Sequence, residues 1–373
     1  MAKLSLPELK AYVTSLVTKA KISNASFVET RDNIVGLLDK IGKIVTVDTV
    51  YSIDKLNKFD GEYLSFGKTI EEWQQDLIMV EDFDPTGANA LAPHEPTYRP
   101  VFYSYTLGQK TVPTTIRNNN IERAVHFEEQ FVSIVAMQYK RLEDSVAQYR
   151  YALKKEMIAK LIAIANDEMT ASSVYATSTE YVVNTVLKKT ADDNTRGIVV
   201  KKIAATNSST WAQNVAAGYI IELDLITEIA KPSTAETGEA FVEQVKNDIE
   251  KASDVSEGHS LNGNTLGATE GLTLILKQGV MAPLEVQTMA GAFHDDKLAM
   301  PCDIVVVNSF GSADADYFAV LLDNRGMRLH NTYDATREDM NGKGDFLNVY
   351  RQLEHTAYIS RNSFLKVYKA PSV

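Results

Sequence analysis

Residues Gly61–Thr69, GEYLSFGKT, end in the Gly-Lys-Thr of a phosphate-binding loop. A Walker A loop needs four residues between its first glycine and that triplet, because its backbone N–H groups must curl into a nest around a phosphate. Here Glu62, Tyr63, Leu64, Ser65 and Phe66 make five, and three of them are bulky. The preceding Asn57-Lys58-Phe59-Asp60 is not the buried apolar strand that feeds such a loop. Nucleotide binding is not expected.

The other chemistry-bearing residues are scattered. Histidines stand at 94, 126, 259, 294, 330 and 355, with no HExxH and no helical pair at i, i+4. His294-Asp295-Asp296 could offer metal ligands but reads as an acidic turn beside Lys297. Gly258-His259-Ser260 begins like a nucleophile elbow, yet Asn262 stands where the second glycine belongs. Glu71-Glu72 and Glu128-Glu129 are adjacent pairs, which point apart in regular structure and cannot act as facing carboxylates. The single cysteine, Cys302, has no intrachain partner and precedes a buried-looking strand, so it reads as an inert thiol made in a reducing compartment. No catalytic, cofactor-binding or metal-binding residue is assigned. A soluble α/β metal enzyme using His259, His294 and neighbouring acids stands as the alternative from another class.

The elements that would position these residues are unusual. Between Pro113 and Gly197 there is neither proline nor glycine, and apolar residues from Phe127 to Ile164 step by threes and fours. That predicts a helix of about 40 residues, roughly 60 Å long at 1.5 Å per residue. Asn119 with Glu122 could cap it. The drifting stripe fits a spine packed on a sheet better than a heptad coiled coil. Upstream, Tyr63–Phe66 and Val101–Leu107 read as strands joined across a long proline-containing excursion, the pattern of an extended hairpin arm. Before them, Leu9, Val13, Leu16 and Val17 suggest an amphipathic helix, and Ser26–Leu38 another.

Downstream, strands are expected at Gly197–Ala204, Tyr219–Ile229, Leu272–Leu276, Ile304–Val307, Phe318–Leu322 and across Phe346–Val367. Helices are expected at Phe241–Ala252 and Pro283–Phe293. Helices interleaved with buried strands make a mixed sheet.

The 373 residues carry 49 acids against 38 bases, a net charge of −11, which disfavours a broad nucleic-acid grip. No apolar run is long enough to span a bilayer.

The order of these segments resembles the tailed-phage major capsid protein, the Hong Kong 97-like fold. LLDKIGKIV followed by GEYLSFGKTIEEWQQDL is similar to the arm segment in capsid proteins of small short-tailed phages. GLTLILKQGVMAPLEVQTMAGAF, DIVVVNSF, AVLLDNRGMRLHNTY and LEHTAYISRNSFLKVYKA are similar to the family's apical and closing segments. The resemblance implies an α+β chain with an N-terminal arm over 1–45 and an extended hairpin arm over 46–111. It places a peripheral domain with the spine helix over 112–170 and 331–373, a suspected insertion over 171–218, and a mixed α/β apical domain over 219–330. It also implies self-assembly through hexamers and pentamers into an icosahedral shell around double-stranded DNA, bound without sequence preference. A portal protein and, since no self-scaffolding segment or Ig-like C-terminal domain is recognised, a separate scaffolding protein follow as partners, with no membrane. The subunit would fold in the host bacterial cytoplasm and end in the virion. An encapsulin-type compartment is the alternative within the fold. On this reading Tyr63, Leu64, Phe66 and Trp73 of the arm are candidate inter-subunit contacts.

Overall fold

The computed structural model describes residues 54–65, 67, 69–75, 98–103, 106–117, 128–170, 173–193, 195–254, 256–265, 271–284, 301–313, 315–344 and 346–371. The chain divides into two units, one of residues 1–52, 112–145 and 337–350, the other of 53–111, 146–336 and 351–373. The proposed helix cap at Asn119 and the helix expected beyond 284 lie outside the described residues, as do His94, His126 and His294.

The long helix exists: α1 spans Glu128–Met169, 42 residues. In the larger unit, its Met157, Ile158, Leu161, Ile162 and Ala165 enter the main core at threes and fours. They meet a five-stranded sheet ordered β12-β11-β13-β16-β8. Its strands are β8 (Ile226–Glu228), β11 (Leu272–Lys277), β12 (Asp303–Val307), β13 (Tyr317–Asp323) and β16 (Leu365–Lys369). β11 runs parallel to β12 and antiparallel to β13, which pairs antiparallel with β16. Helix α3 (Ala235–Ser253) begins with a Thr234–Thr237 capping box. It covers the other face with Phe241, Val242, Val245 and Ile249 against Leu272, Leu274, Leu276 and Phe318. With helices on both faces, the odd and even side chains of β11 are both buried. That is why Leu272-Thr273-Leu274-Ile275-Leu276 reads as a continuous apolar run rather than an alternation.

A four-stranded sheet runs β1-β14-β15-β4, where β1 is Asp60–Tyr63, β4 Thr106–Arg117, β14 Met327–Asn341 and β15 Phe346–Ile359. In the smaller unit, Asn341 Oδ1 accepts from the N–H groups of Lys343 and Gly344, closing the β14–β15 turn, and Thr115 Oγ1 donates to Asn348 Oδ1 at 2.8 Å. β14 is long and mostly polar, and the sequence did not point to it.

Two expectations need correction. Tyr219–Ile229 is not one strand: it breaks at Asp224-Leu225 into β7 (Ile220–Leu223) and β8, in different sheets. The break puts Asp224 against Lys366 and His259, and lets Leu225 C=O accept from Val367 N–H. The strand expected over Tyr63–Phe66 does not run on past Tyr63, where β1 ends, and Phe66 lies outside the described residues. Instead β2 (Ile70–Gln75) pairs antiparallel with β3 (Tyr98–Tyr103).

The 171–218 stretch supplies β5 (Val186–Lys188), β6 (Arg196–Val199) and the short helix α2 (Trp211–Ala216), and β7 completes a three-stranded sheet. One face has its own core of Leu187, Val199, Ile203, Trp211 and Ile220, while Ile198, Ile221 and Leu223 enter the main core. Gly197 is required there, since a Cβ would sit 2.7 Å from Ile220 and 2.9 Å from the Trp211 ring. Among the described residues no helix is long and apolar enough to cross a membrane.

Candidate inter-subunit surface

The segment that leads into β2 is firmly packed. Leu56 and Phe59 are fully buried in the main core. Between them and β1 lies a charge cluster centred on Lys154, whose side chain is 0% exposed. Its ammonium is 2.6 Å from Asp54 Oδ2 and 2.6 Å from Asp60 Oδ1, and Arg150, one helical turn earlier, reaches the same Asp60 oxygen at 2.9 Å. A buried ammonium held by two partly exposed carboxylates is a costly group made tolerable by its partners. Arg328 donates to the Lys58 carbonyl at 2.6 Å, and Lys58 pairs with Asp303. β1 runs parallel to β14, and Leu64 N–H continues the ladder to Asn331 C=O at 2.9 Å. Gly61 is squeezed under His330, whose ring would lie 2.4 Å from an added Cβ.

Along β2 the side chains alternate. Glu72 turns back to the subunit, accepting from Ser360 Oγ at 2.6 Å and from Arg361 N–H at 3.4 Å. The Arg361 guanidinium in turn binds Glu168 Oε1 at 2.7 Å and Asn262 Oδ1 at 3.3 Å. Burial, then the nearby Glu72, push the Tyr358 phenol above its ordinary range. Glu71 and Trp73 take the opposite face, and the indole N–H donates to Glu71 Oε2 at 3.3 Å. Of the four predicted contact residues, Tyr63 is 56% and Trp73 62% exposed, Leu64 is half-buried, and Phe66 lies outside the described residues. Beside Arg361 an open groove of about 560 Å³ runs along α1. Leu153, Met157 and Ile164 form its floor with Leu107 and Ile359, and Lys160 stands on its rim.

Among the described residues, His259, Asp224 and Cys302 have structural surroundings. His259 is buried and stacked on Phe364, with ring centroids 5.4 Å apart, and its Nε2 lies 3.3 Å from Asp224 Oδ2. Asp224 Oδ1 also receives the buried Lys366 ammonium at 2.6 Å. Burial alone would raise the Asp224 carboxyl, but His259 and Lys366 outweigh it and hold it well below the usual carboxylate range. Gly258 has φ +81°, and its missing Cβ lets the Glu222 carbonyl approach to 2.1 Å of where that atom would be. The Gly258-His259-Ser260 stretch is strand, and Gly258 marks a close backbone crossing. Burial, then Asp303, push the Cys302 thiol up to about 11, away from the reactive thiolate. Among the described residues no three His, Cys, Asp or Glu side chains converge as metal ligands. The Lys154 and Arg361 networks were not visible in the sequence. Their partners lie about a hundred or more positions away, and only the Arg150/Lys154 spacing of one helical turn hinted at a charged face.

A long helix packed on a sheet buried on both faces is the layout found in phage capsid subunits. The structure superposes on a chain from the capsid of Staphylococcus phage Andhra with a TM-score of 0.57 at 11% identity, covering 89% of this chain and 88% of that one. A chain from the structure of the head fiber and inner core protein gp22 of native bacteriophage P68 gives 0.53 at 10% identity over 89% and 88%. One from the capsid of Cyanophage P-SCSP1u gives 0.51 at 9% identity over 90% and 95%. No curated protein sequence matches the chain. The chain belongs to the Phi29-like phage major capsid protein family, whose sequence model matches residues 2–364. It is a structural protein of the virion, and copies of it build the capsid shell.

Proposed function

We propose that the shell closes through the hairpin arm, with Tyr63, Leu64, Phe66 and Trp73 meeting a neighbouring copy. The observation that carries this is the contrast within β2: Glu72 is tied to the subunit while Trp73, one residue on, is 62% exposed. A large indole held in water on a fixed strand suits a contact that dries only on assembly. The groove along α1 is the receiving surface. Its apolar floor takes Trp73 of the next copy, and Lys160 on its rim meets the Glu71 that accompanies that indole. Charge complementarity of this kind sets register more than affinity.

The proposal extends to the rest of the assembly. Residues 1–45 serve as N-terminal arm, 46–111 as hairpin arm, 112–170 with 331–373 as peripheral domain, 171–218 as an insertion and 219–330 as apical domain. The subunit folds in the host cytoplasm, assembles on a separate scaffolding protein around a portal, and encloses double-stranded DNA without catalysing a reaction. Phe66→Asp tests the arm. The variant is expected to melt close to wild type yet to sediment only as small species when mixed with scaffold. A melting point many degrees lower, or normal particles, overturns the reading.

A further inference from the structure

The arm root contains a group that the shell role does not explain. His355, on β15, is only 2% exposed, and neither ring nitrogen has a hydrogen-bond partner. Its ring lies 6.0 Å from that of Tyr149 on α1. The charged groups acting on it come from three packed elements: Arg150 and Lys154 from α1, Asp60 from β1 and Asp334 from β14. Asp334 is already bound by Arg351 at 2.6 Å, and Asp60 is shared by Lys154 and Arg150. A neutral imidazole is tolerated in this setting. An imidazolium would be a further cation near the buried Lys154 and the partly exposed Arg150, without an acceptor of its own.

We infer that His355 makes the arm root an acid-sensitive latch: protonating its ring beside Arg150 and Lys154 loosens the hold of Lys154 on Asp54 and Asp60, freeing the segment from Asp54 to Tyr63. Burial first, then Arg150, hold the imidazole down at about 4, so the latch stays shut at neutral pH. Lys154 is the hub because its ammonium is what ties the Asp54 segment and β1 to the helix. The joint lies in the segment that leads into β2, so opening it changes how the arm is presented without unfolding the five-stranded sheet.

The test is amide hydrogen exchange on the purified, unassembled full-length chain at pH 7.5 and 4.5, with protection corrected for intrinsic rates. Protection over 54–63 is expected to fall about tenfold or more at the acid pH, since each unit by which a pKa is displaced is worth a factor of ten. Protection over β11 and β13 should hold. His355→Gln, neutral at both values, should keep the 54–63 protection. Equal loss in His355→Gln would mean that the carboxylates titrate alone, and the latch is refuted. Should that variant fold poorly, the wild-type imidazole is followed by NMR. Titration near 4 supports the latch, and titration near 6.5 overturns it.

Discussion

The five-stranded sheet and the arm hairpin are built from similar residue types in opposite circumstances. In β11 and β13 every side chain from Leu272 to Leu276 and from Tyr317 to Asp323 is buried, with a helix on each face. In β2 Glu72 is tied to the subunit, while the neighbouring Trp73, the largest side chain of the strand, is left in water. One region spends its apolar surface on folding the subunit. On the proposed arm contact, the other keeps its exposed indole for a neighbouring copy. Substitutions should therefore separate: those in the sheet act on stability, and those on the arm act on assembly.

The largest effect belongs to the sheet. Phe241 is fully buried, with Phe318 at 5.4 Å and Tyr368 at 5.3 Å between ring centroids. Phe241→Ala should cost about 3–5 kcal/mol of unfolding free energy, read by chemical denaturation of the unassembled subunit. A loss under about 1 kcal/mol would place the core elsewhere.

The arm root should be intermediate. Lys154→Met keeps the buried stem but leaves Asp54 and Asp60 without their shared ammonium, and only Arg150 remains on Asp60. Because both carboxylates are partly exposed, water screens part of the loss, and about 1–3 kcal/mol is expected. The fingerprint is spatial: hydrogen exchange should quicken over 54–63 more than over β16. Uniform quickening would make Lys154 an ordinary core residue.

The pH dependence at the same root has a defined sign. An unfolded histidine titrates near 6.5, whereas His355 in the folded subunit is held at about 4. The unfolded chain thus binds the proton first. The contribution is intact above pH 6.5, erodes as the pH falls through that window and is gone below about 4. By linkage its full size is of the order of 3 kcal/mol. Denaturation of wild type and His355→Gln at pH 7 and 5 should show a gap that narrows or reverses in acid. Parallel curves would remove His355 from the account.

How much of this was legible follows from what each signal depends on. The two-faced burial of Leu272–Leu276 and the helix over 128–169 are local patterns, and the sequence shows them directly. The capping box at Thr234 is local as well. By contrast β9 (Ser256–Ser260) and β10 (Gly263–Thr265) are polar, and β9 sits against β7 only because Gly258 admits the Glu222 backbone. Nothing in SEGHS or GNT announces that. The break at Asp224 was missed for a similar reason. Ile221, Leu223, Leu225 and Ile229 alternate as one strand would, and only the distant Lys366 shows why the chain turns there. For the candidate site, the exposure of Tyr63 and Trp73 could be read from their charged neighbours, while the ties made by Glu72 and Lys154 could not.

The smallest effect on stability, and the sharpest test of the contrast, is Trp73→Ala. The indole is mostly in water, and its one intramolecular hydrogen bond goes to the exposed Glu71 at 3.3 Å. Removing it should change the unfolding free energy by no more than about 0.5 kcal/mol, as for other surface sites. On the proposed contact, the same truncation would remove a central anchor from every repeated copy, and such anchors are worth about 2 kcal/mol or more each. Particles should therefore fail to close although the subunit is as stable as before. The pairing of Glu71 with Lys160 is then separable. Glu71→Lys should slow assembly, and adding Lys160→Glu should restore it, because the repulsion introduced by one is relieved by the other. Sedimentation of the four proteins with scaffold reads both outcomes. Without rescue in the double variant, the groove along α1 is not the surface that receives the arm. If Trp73→Ala itself melts several degrees lower, the indole belongs to the subunit's own fold.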